Sequence, residues 1–521
     1  MKRFPFVLTT LFLAAGCAVA AGGNSPGAQT SQLSLAGVYA SGEKTGTEIV
    51  SVQQKTLRAV LSNSESGAVD LLDIHSPAQP VKIARFDLGL KSGEQLTSVA
   101  FHPAADYFLA AIQGAGPRSP GRVEIRSAAN GQILKSLPTG VGPDSVVVDF
   151  TGRLAATANE AEEFTYDPST KTFDSVEGSL TVIHLEGGPE KAAATQIALS
   201  EPTDTGGMTA EGDGRFLERP VDWNGNGQID KGALDVDGNG QIETQKVKAG
   251  TFLGKDVFIK SEAEGETFLI PLGKTSAKIL EPECVAFSPD GNKLYATLQE
   301  NNAIAIANTA QGIIRGYFGL GTSRHMADVE DDGSVGGFTQ RLMALREPDG
   351  LAVSPDGNFI VTADEGDTAP KTSKRAFGKP AGGGRTVSVF APPLGVMMGD
   401  TANGLDEAAG SSRLYPENRS EQRGSEPEML ILFTMGSTLY AGVSLERADG
   451  VALISLEDTT APKVIEAAGI DPKAPRGSIG PEGIDHFEVD GRHYLITANE
   501  KNGTAAVFEV KASQAPSVAA R

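Results

Sequence analysis

The residues with the types and spacing to do chemistry are mostly carboxylates and amides. Between Asp222 and Gln245 the chain reads DWNGNGQIDKGALDVDGNGQIETQ, two successive loops of the form Asp-x-Asx-x-Asn-Gly-x-Ile-acid. Alternating side-chain oxygens, a Gly for the sharp turn and an Ile to anchor the loop suit a hard cation that takes about six to eight oxygen ligands. The pattern nominates Asp222, Asn224, Asn226 and Asp230, then Asp235, Asp237, Asn239 and Glu243, with the carbonyls of Gln228 and Gln241, as ligands of Ca2+. The bidentate Glu that closes an EF-hand loop is missing, because Ala233 and Lys246 stand at the twelfth positions. Asp230, Asp235 or Glu243 shared between the loops would have to complete the sphere. The expected role is to stiffen a long insertion; the plainer alternative is a solvated Asn-Gly loop.

A second set of acids is tied to a repeat. EPECVAFSPDGNKLYATLQENNAIAIAN, from Glu281 to Asn308, recurs from Glu347, Gly480 and Ser425, and in weaker form from Gly142, Thr97 and Thr47. Each unit is a short apolar or alternating run, a tight turn such as Pro289-Asp290-Gly291-Asn292, a second run and usually a third. That is a β-meander, and the Asp-Gly turns supply the φ values a hairpin requires. A lone four-stranded sheet cannot bury both faces, so repeated meanders stack as blades. The sequence therefore predicts an all-β fold, a seven-bladed β-propeller, with six or eight blades as the runner-up because the stretch from Gly187 to Ile279 is long enough to hide strands. The last unit has only three runs, and an unassigned apolar run, Leu33 to Tyr39, precedes the first unit. We expect this N-terminal strand to pair with Thr504 to Val510, closing the last blade and removing an open edge.

In such a meander the Asp-Gly turns lie at the bottom, and the other connections lie on top. The insertions Ala161 to Glu177, Gly187 to Ile279, Gly316 to Arg346, Gly366 to Gly384 and Ala391 to Gly424 all fall in the top class. Elaborated loops on a rigid scaffold are where function concentrates. Strand one starts at an acid in six units, Glu48, Asp144, Glu283, Asp349, Glu428 and Glu482, with Ser98 the exception. Strand two ends at a second set, Glu65, Glu160, Glu300, Glu365, Glu446 and Glu500. Both sets are expected at the top, near the channel mouth. They either brace blade to blade through loop amides and Arg residues or form a site for a cation or polar ligand. Glu48, Asp144, Glu283, Glu300, Asp349, Glu428, Glu446, Glu482 and Glu500 are the expected ligand-binding residues. Arg324, Arg341, Arg346, Arg413, Arg419 and Arg423 are available as counter-charge.

The ends and composition bound the setting. Lys2 and Arg3, an apolar run from Phe4 to Ala15 and small residues after it follow the order of an export signal. Cleavage after Ala20 leaves a free N-terminus, whereas Ala14-Ala15-Gly16-Cys17 resembles a lipoprotein box that would anchor the chain through Cys17. Residues 1–20 are thus expected as a signal peptide (or a lipoprotein signal ending before Cys17), 21–32 as a flexible tether, 33–510 as the propeller with its calcium-like insertion at about 187–279, and 511–521 as a disordered tail. With 45 basic and 66 acidic residues the net charge is -21, which disfavours nucleic acid and anionic membrane as partners. The membrane enters only through the possible anchor at Cys17, and the location expected is extracytoplasmic, in the periplasm or at the cell surface. Once the signal is gone, Cys284 has no intrachain partner, so the core must hold the fold. His75, His102, His184, His325, His486 and His493 show no metal spacing, and there is no phosphate loop or nucleophile elbow.

The segments TEIVSV, GAVDLLDI, EPECVAFSPDGNKLYATLQENNAIAI, RLYPENRSEQRGSEPE and GPEGIDHFEVDGRHYLITANEKNGTAAVFEV resemble the choice-of-anchor I domain family of bacterial envelope proteins, from about Leu33 to Val510. The resemblance implies a propeller in the cell envelope. Some relatives bear the name of atypical alkaline phosphatases, and Arg419-Ser420-Glu421 with Arg423 approximate the family's Arg-Ser-Asp and Lys after Tyr-Pro-Glu-Asn. Two functions are therefore carried forward. One is a calcium-stabilised envelope propeller that binds a partner protein or polar ligand on its acidic top face. The alternative is a metal-dependent phosphoesterase, with cations held by Glu283, Glu428 and Glu482 and the phosphate oxygens by Arg419 or Arg423.

Overall fold

Two turns show how the local sequence sets the strands. In Ser288-Pro289-Asp290-Gly291 the Asp290 carboxylate accepts from Ser288 Oγ at 2.6 Å and from the Asn292 amide at 3.0 Å, while Gly291 takes φ +71°. Ser354-Pro355-Asp356-Gly357 repeats this bonding, with Gly357 at φ +72°. Each turn reverses the chain between two apolar strands, Pro282–Phe287 and Lys293–Leu298 in the first case and Pro348–Val353 and Ile360–Asp364 in the second.

The computed structural model describes residues 32–161, 164–167, 172–199, 257–261, 266–270, 280–335, 337–366, 383–392 and 395–511. The expected signal, the Ca2+ loops from Asp222 to Glu243 and the tail beyond 511 lie outside the described residues. No helix among the described residues is long and apolar enough to cross a membrane.

Seven four-stranded antiparallel sheets follow one another along the described residues. Their first strands are Val50–Gln53, Gln95–Phe101, Pro143–Val148, Pro282–Phe287, Pro348–Val353, Pro427–Met435 and Pro481–Val489. We number the sheets one to seven in that order. Each first strand touches those of the sheets before and after it, and Pro481–Val489 returns to Val50–Gln53. Between sheets seven and one, for example, Tyr39, Leu61, Phe487 and Ile496 pack together, and between sheets four and five Tyr295, Phe318, Leu351 and Phe390 do so. Every such junction holds its own apolar cluster. Neighbours therefore bury what each sheet alone cannot. The fold is all-β and propeller-like.

Leu33–Ala40 is the outer strand of sheet seven. Leu33 lies opposite Val510 and Ala40 opposite Thr504, with one irregularity between Leu35 and Gly37. The strand also ties neighbouring sheets: the Gln32 and Leu33 amides donate to Glu466 Oε2 at 2.7 and 3.1 Å, and Tyr39 Oη donates to Asp70 Oδ2 at 2.8 Å.

Three stretches expected as loop supply strands to the four-stranded sheets. Ala193–Ala198, Ile313–Gly319 and Val396–Asp400 are the outer strands of sheets three, four and five, although the insertions were expected to begin at Gly187, Gly316 and Ala391. An outer strand meets the core on one side only, so its apolar signal is weak; in AATQIA only Ile197 is buried. Among the described residues the insertions also hold three two-stranded hairpins, Phe164–Asp167 with Thr172–Ser175, Val257–Ser261 with Glu266–Ile270 and Thr322–Ala327 with Gln340–Leu345, and the short helix Gly404–Ser411.

Candidate functional site

Five of the seven first strands open on the same local device. The sequences GPDSV, EPECV, EPDGL, EPEML and GPEGI place a Pro immediately before the acid, at Pro143, Pro282, Pro348, Pro427 and Pro481. Pro suits the first position of a strand because it has no ladder donor to lose. Two or three residues after each Pro the pairing register shifts, so one extra residue bulges out and re-aims the side chains beside it. Gly142, Glu347, Glu426 and Gly480, just before the Pro, adopt positive φ. For the two Glu residues that conformation is strained, and it persists because the surrounding structure fixes it.

The re-aimed acids line a central channel of about 960 Å3, walled by all seven first strands. Glu48, Asp144, Glu283, Asp349, Glu428 and Glu482 all face it. They feel one another around the ring: Glu283 is repelled by Asp144 and Asp349, Glu428 by Asp349 and Glu482, and Glu482 by Glu48. Sheet two interrupts the crescent. There Thr97 Oγ1 donates to the Pro143 carbonyl at 2.6 Å and Ser98 Oγ accepts from the Val146 amide at 3.1 Å, so hydroxyls that bond the next blade replace a charge.

Crowding governs the protonation of these groups. Burial, then repulsion from Glu300, Asp349, Glu160 and Asp144, holds Glu283 well above the usual carboxylate range. Burial and the charges of Glu365, Asp349, Glu446 and Glu482 do the same to Glu428, and burial with Glu500, Glu48 and Glu446 to Glu482. Glu428 is hydrogen-bonded to Asp349 and Glu482 to Glu500. A carboxyl–carboxyl hydrogen bond requires a proton between them, so each pair carries less than its full charge.

Among the described residues two groups are close enough to hold an ion. Carboxylate oxygens of Glu365, Glu426, Glu428 and Glu446 lie within 4.8 Å of one another, and so do those of Glu446, Glu482 and Glu500. Glu446 belongs to both. Protein cations offset part of this charge. Glu426, fully buried, meets Arg419 Nε at 2.6 Å, Arg447 Nε at 3.2 Å and Arg423 Nε at 3.6 Å. Arg423 also pairs with Glu365, which accepts from Gln299 Nε2 at 2.7 Å. Glu446 pairs with Arg447 at 3.0 Å and with Lys501.

The strand-two acids divide. Glu160, Glu365, Glu446 and Glu500 follow the residues that face the opening Pro or its equivalent. Glu65 and Glu300 do not. Opposite Glu48 the place belongs to Ser64, whose Oγ donates to Glu48 at 2.6 Å, and Glu65 is exposed. In sheet four Gln299 follows Leu298, the partner of Pro282, and Glu300 stands one residue further, buried and close enough to repel Glu283. Sequence spacing also missed Gln299, Glu426, Arg447 and Lys501. The signal for the cations was present as the dipeptides Glu446-Arg447 and Glu500-Lys501 at strand-two ends.

The phosphoesterase arrangement is not assembled among the described residues. Glu283 shares neither carboxylate group with Glu428 or Glu482. Arg419 and Arg423 are turned into Glu426 and Glu365. Arg346 is likewise engaged away from the mouth, with Asp364 at 3.1 Å and Asp400 at 2.7 Å. His325 is buried and its pKa is pulled down to about 3, chiefly by burial. The Cys284 thiol is pushed up to about 12, also by burial, which suits a core residue better than a nucleophile.

Further along the channel Asp485 bridges sheets seven and one, accepting from the Val52 and His486 amides at 2.7 Å each. Burial raises its carboxyl from 3.8 to about 6 against the pull of these bonds. The folded value exceeds the unfolded one, so between pH 3.8 and about 6 the native protein keeps a proton that the unfolded chain has released. Stability therefore falls as pH rises through that window and is level above it. Asp485→Asn should gain on the wild type by on the order of 2 kcal/mol between pH 4 and pH 7. Denaturant titrations at those pH values check this; a constant difference would show that Asp485 does not titrate there.

Comparison with solved structures returns chains of low identity. The Swd1 β-propeller domain of Myceliophteria thermophila is 9% identical with a TM-score of 0.48, covering 92% of this chain and 100% of its own. A hydrazine synthase of Kuenenia stuttgartiensis is 11% identical with a TM-score of 0.49, covering 89% and 96%. A functionally unknown protein from Desulfotomaculum acetoxidans is 12% identical with a TM-score of 0.42, covering 85% and 90%. Comparison with curated proteins found no match. The choice-of-anchor I domain matches residues 48–382, a span that takes in the starts of sheets one to five with four of the six channel acids, and the chain belongs to the choice-of-anchor I domain family.

Proposed function

We propose that this protein is an exported cell-envelope propeller of seven blades that binds a cation or cationic polar ligand at its acidic channel mouth and performs no catalysis. The observation that carries this reading is the pair of carboxylate groups joined at Glu446. Their protein counter-charges leave Glu428, Glu482 and Asp349 to relieve repulsion by sharing protons. A bound cation would replace those protons with a stronger attraction. Family membership supports the envelope location, and the export signal agrees with it. Calcium at Asp222, Asn224, Asn226 and Asp230, and at Asp235, Asp237, Asn239 and Glu243, would stiffen the insertion as a separate site.

Calorimetric titration with calcium and magnesium separates the two sites. Wild type should bind at the insertion and at the mouth. Asp222→Ala with Asp235→Ala should remove the first class of site, and Glu446→Gln should weaken the second by tenfold or more, because it belongs to both carboxylate groups. Loss of all binding in the insertion variant would leave the mouth as bracing alone. Metal-dependent turnover of a generic phosphoester that disappears in Glu428→Gln would favour the enzyme instead.

A further inference from the structure

We propose that the channel accepts an amphiphilic monocation, a primary ammonium group on a straight aliphatic stem, with the head between Ser145 and Glu283 and the stem running down between the blades. This rests on the cation-binding reading above and names the ligand class.

Two polar atoms on neighbouring first strands carry the assignment. Glu283 Oε2 and Ser145 Oγ are both shielded from solvent, and neither has a hydrogen-bond partner among the described residues. Both residues line the channel, and Pro143–Val148 touches Pro282–Phe287. On touching strands, an unsatisfied carboxylate oxygen and an unsatisfied hydroxyl are each costly unless something donates to them. An ammonium group offers three donors and no acceptor, and Asp144 and Asp349 add negative charge around the same spot.

A divalent metal fits this position less well. Such an ion requires several oxygens converging at short distance, and among the described residues Glu283 belongs to neither carboxylate group close enough to hold one. Below the acids the wall carries Ser51 and Asp485 but also an apolar stretch. Val147, Ala286, Val353 and Ile431 are half-buried, packed against the inter-blade cores on one side and lining the channel on the other. A hydrated metal gains nothing from that wall, whereas an alkyl stem does. The volume of about 960 Å3 also lies within the range of small-molecule sites.

The test is calorimetric titration of the full mature chain with ethyl-, butyl-, hexyl- and octylammonium, octanol, Nα-acetyl-lysine amide and calcium. Each added methylene should tighten binding by about threefold to fourfold, and octanol should bind at least tenfold more weakly than octylammonium. Improvement that continues to octylammonium marks a free amphiphile as the natural ligand. Improvement that stops at butylammonium, matched by acetyl-lysine amide, marks a lysine side chain of a partner. Glu283→Gln should cost tenfold or more for every amine, and Ala286→Phe should erase the chain-length dependence while calcium binding persists. Because the wild-type series decides the matter alone, a variant that fails to fold does not rescue the idea. Calcium binding without chain-length dependence would overturn this inference and leave the cation site standing; absence of any cation binding would remove both.

Discussion

Removal of residues 1–40 is expected to cost about 3–6 kcal/mol of stability, the burial of two large side chains. Leu33 and Tyr39 are 2% and 8% exposed, and both belong to inter-blade clusters. Their strand is the outer partner of Thr504–Val510 and bonds outward to Glu466 and Asp70. The truncated chain would present Thr504–Val510 as an unpaired edge, so self-association should accompany the loss. Urea titration and light scattering of the truncated protein check both effects. A change below about 1 kcal/mol with no association would mean that the ring closes without its N-terminal strand.

Arg346→Met should be comparably damaging, at about 3–5 kcal/mol. The guanidinium is 1% exposed and lies between Asp364 Oδ2 at 3.1 Å and Asp400 Oδ2 at 2.7 Å. It also donates to Thr386 Oγ1 at 3.0 Å and to the Leu320 and Thr322 carbonyls at 3.2 Å each, which fastens the end of sheet four to sheet five. Met fills similar space but leaves two carboxylates without their cation. Arg346→Lys should lie between, since an ammonium restores charge without the planar fork. If the Met variant unfolds at the wild-type denaturant midpoint, water must already screen the network.

The blades were legible in the sequence because their information is local. Asp-Gly turns fix hairpins, and in strands such as Lys293–Leu298 alternate residues sort to two inter-blade clusters, Leu294, Ala296 and Leu298 to one and Tyr295 to the other. The Leu33 to Tyr39 pairing followed from counting strands. Outer strands such as Ala193–Ala198 were missed because they face the core on one side only. The acids show the same limit at finer scale. Lengthening a hairpin symmetrically adds residues in pairs, so even spacings, Asp144 to Glu160 or Glu428 to Glu446, keep both acids in phase. Odd spacings, Glu48 to Glu65 and Glu283 to Glu300, land one residue off, where Ser64 and Gln299 take the position. Grouping of the carboxyls and their pairing with Arg447 and Lys501 depend on contacts between blades, which no single hairpin encodes.

Anomalous scattering from crystals soaked in manganese would test the acidic mouth most directly. The proposed function predicts a peak among Glu365, Glu428 and Glu446, or between Glu446, Glu482 and Glu500, that is absent from Glu446→Gln crystals. Full occupancy at the Asp222 to Glu243 insertion with no density at the mouth would contradict it and leave those acids as braces between blades.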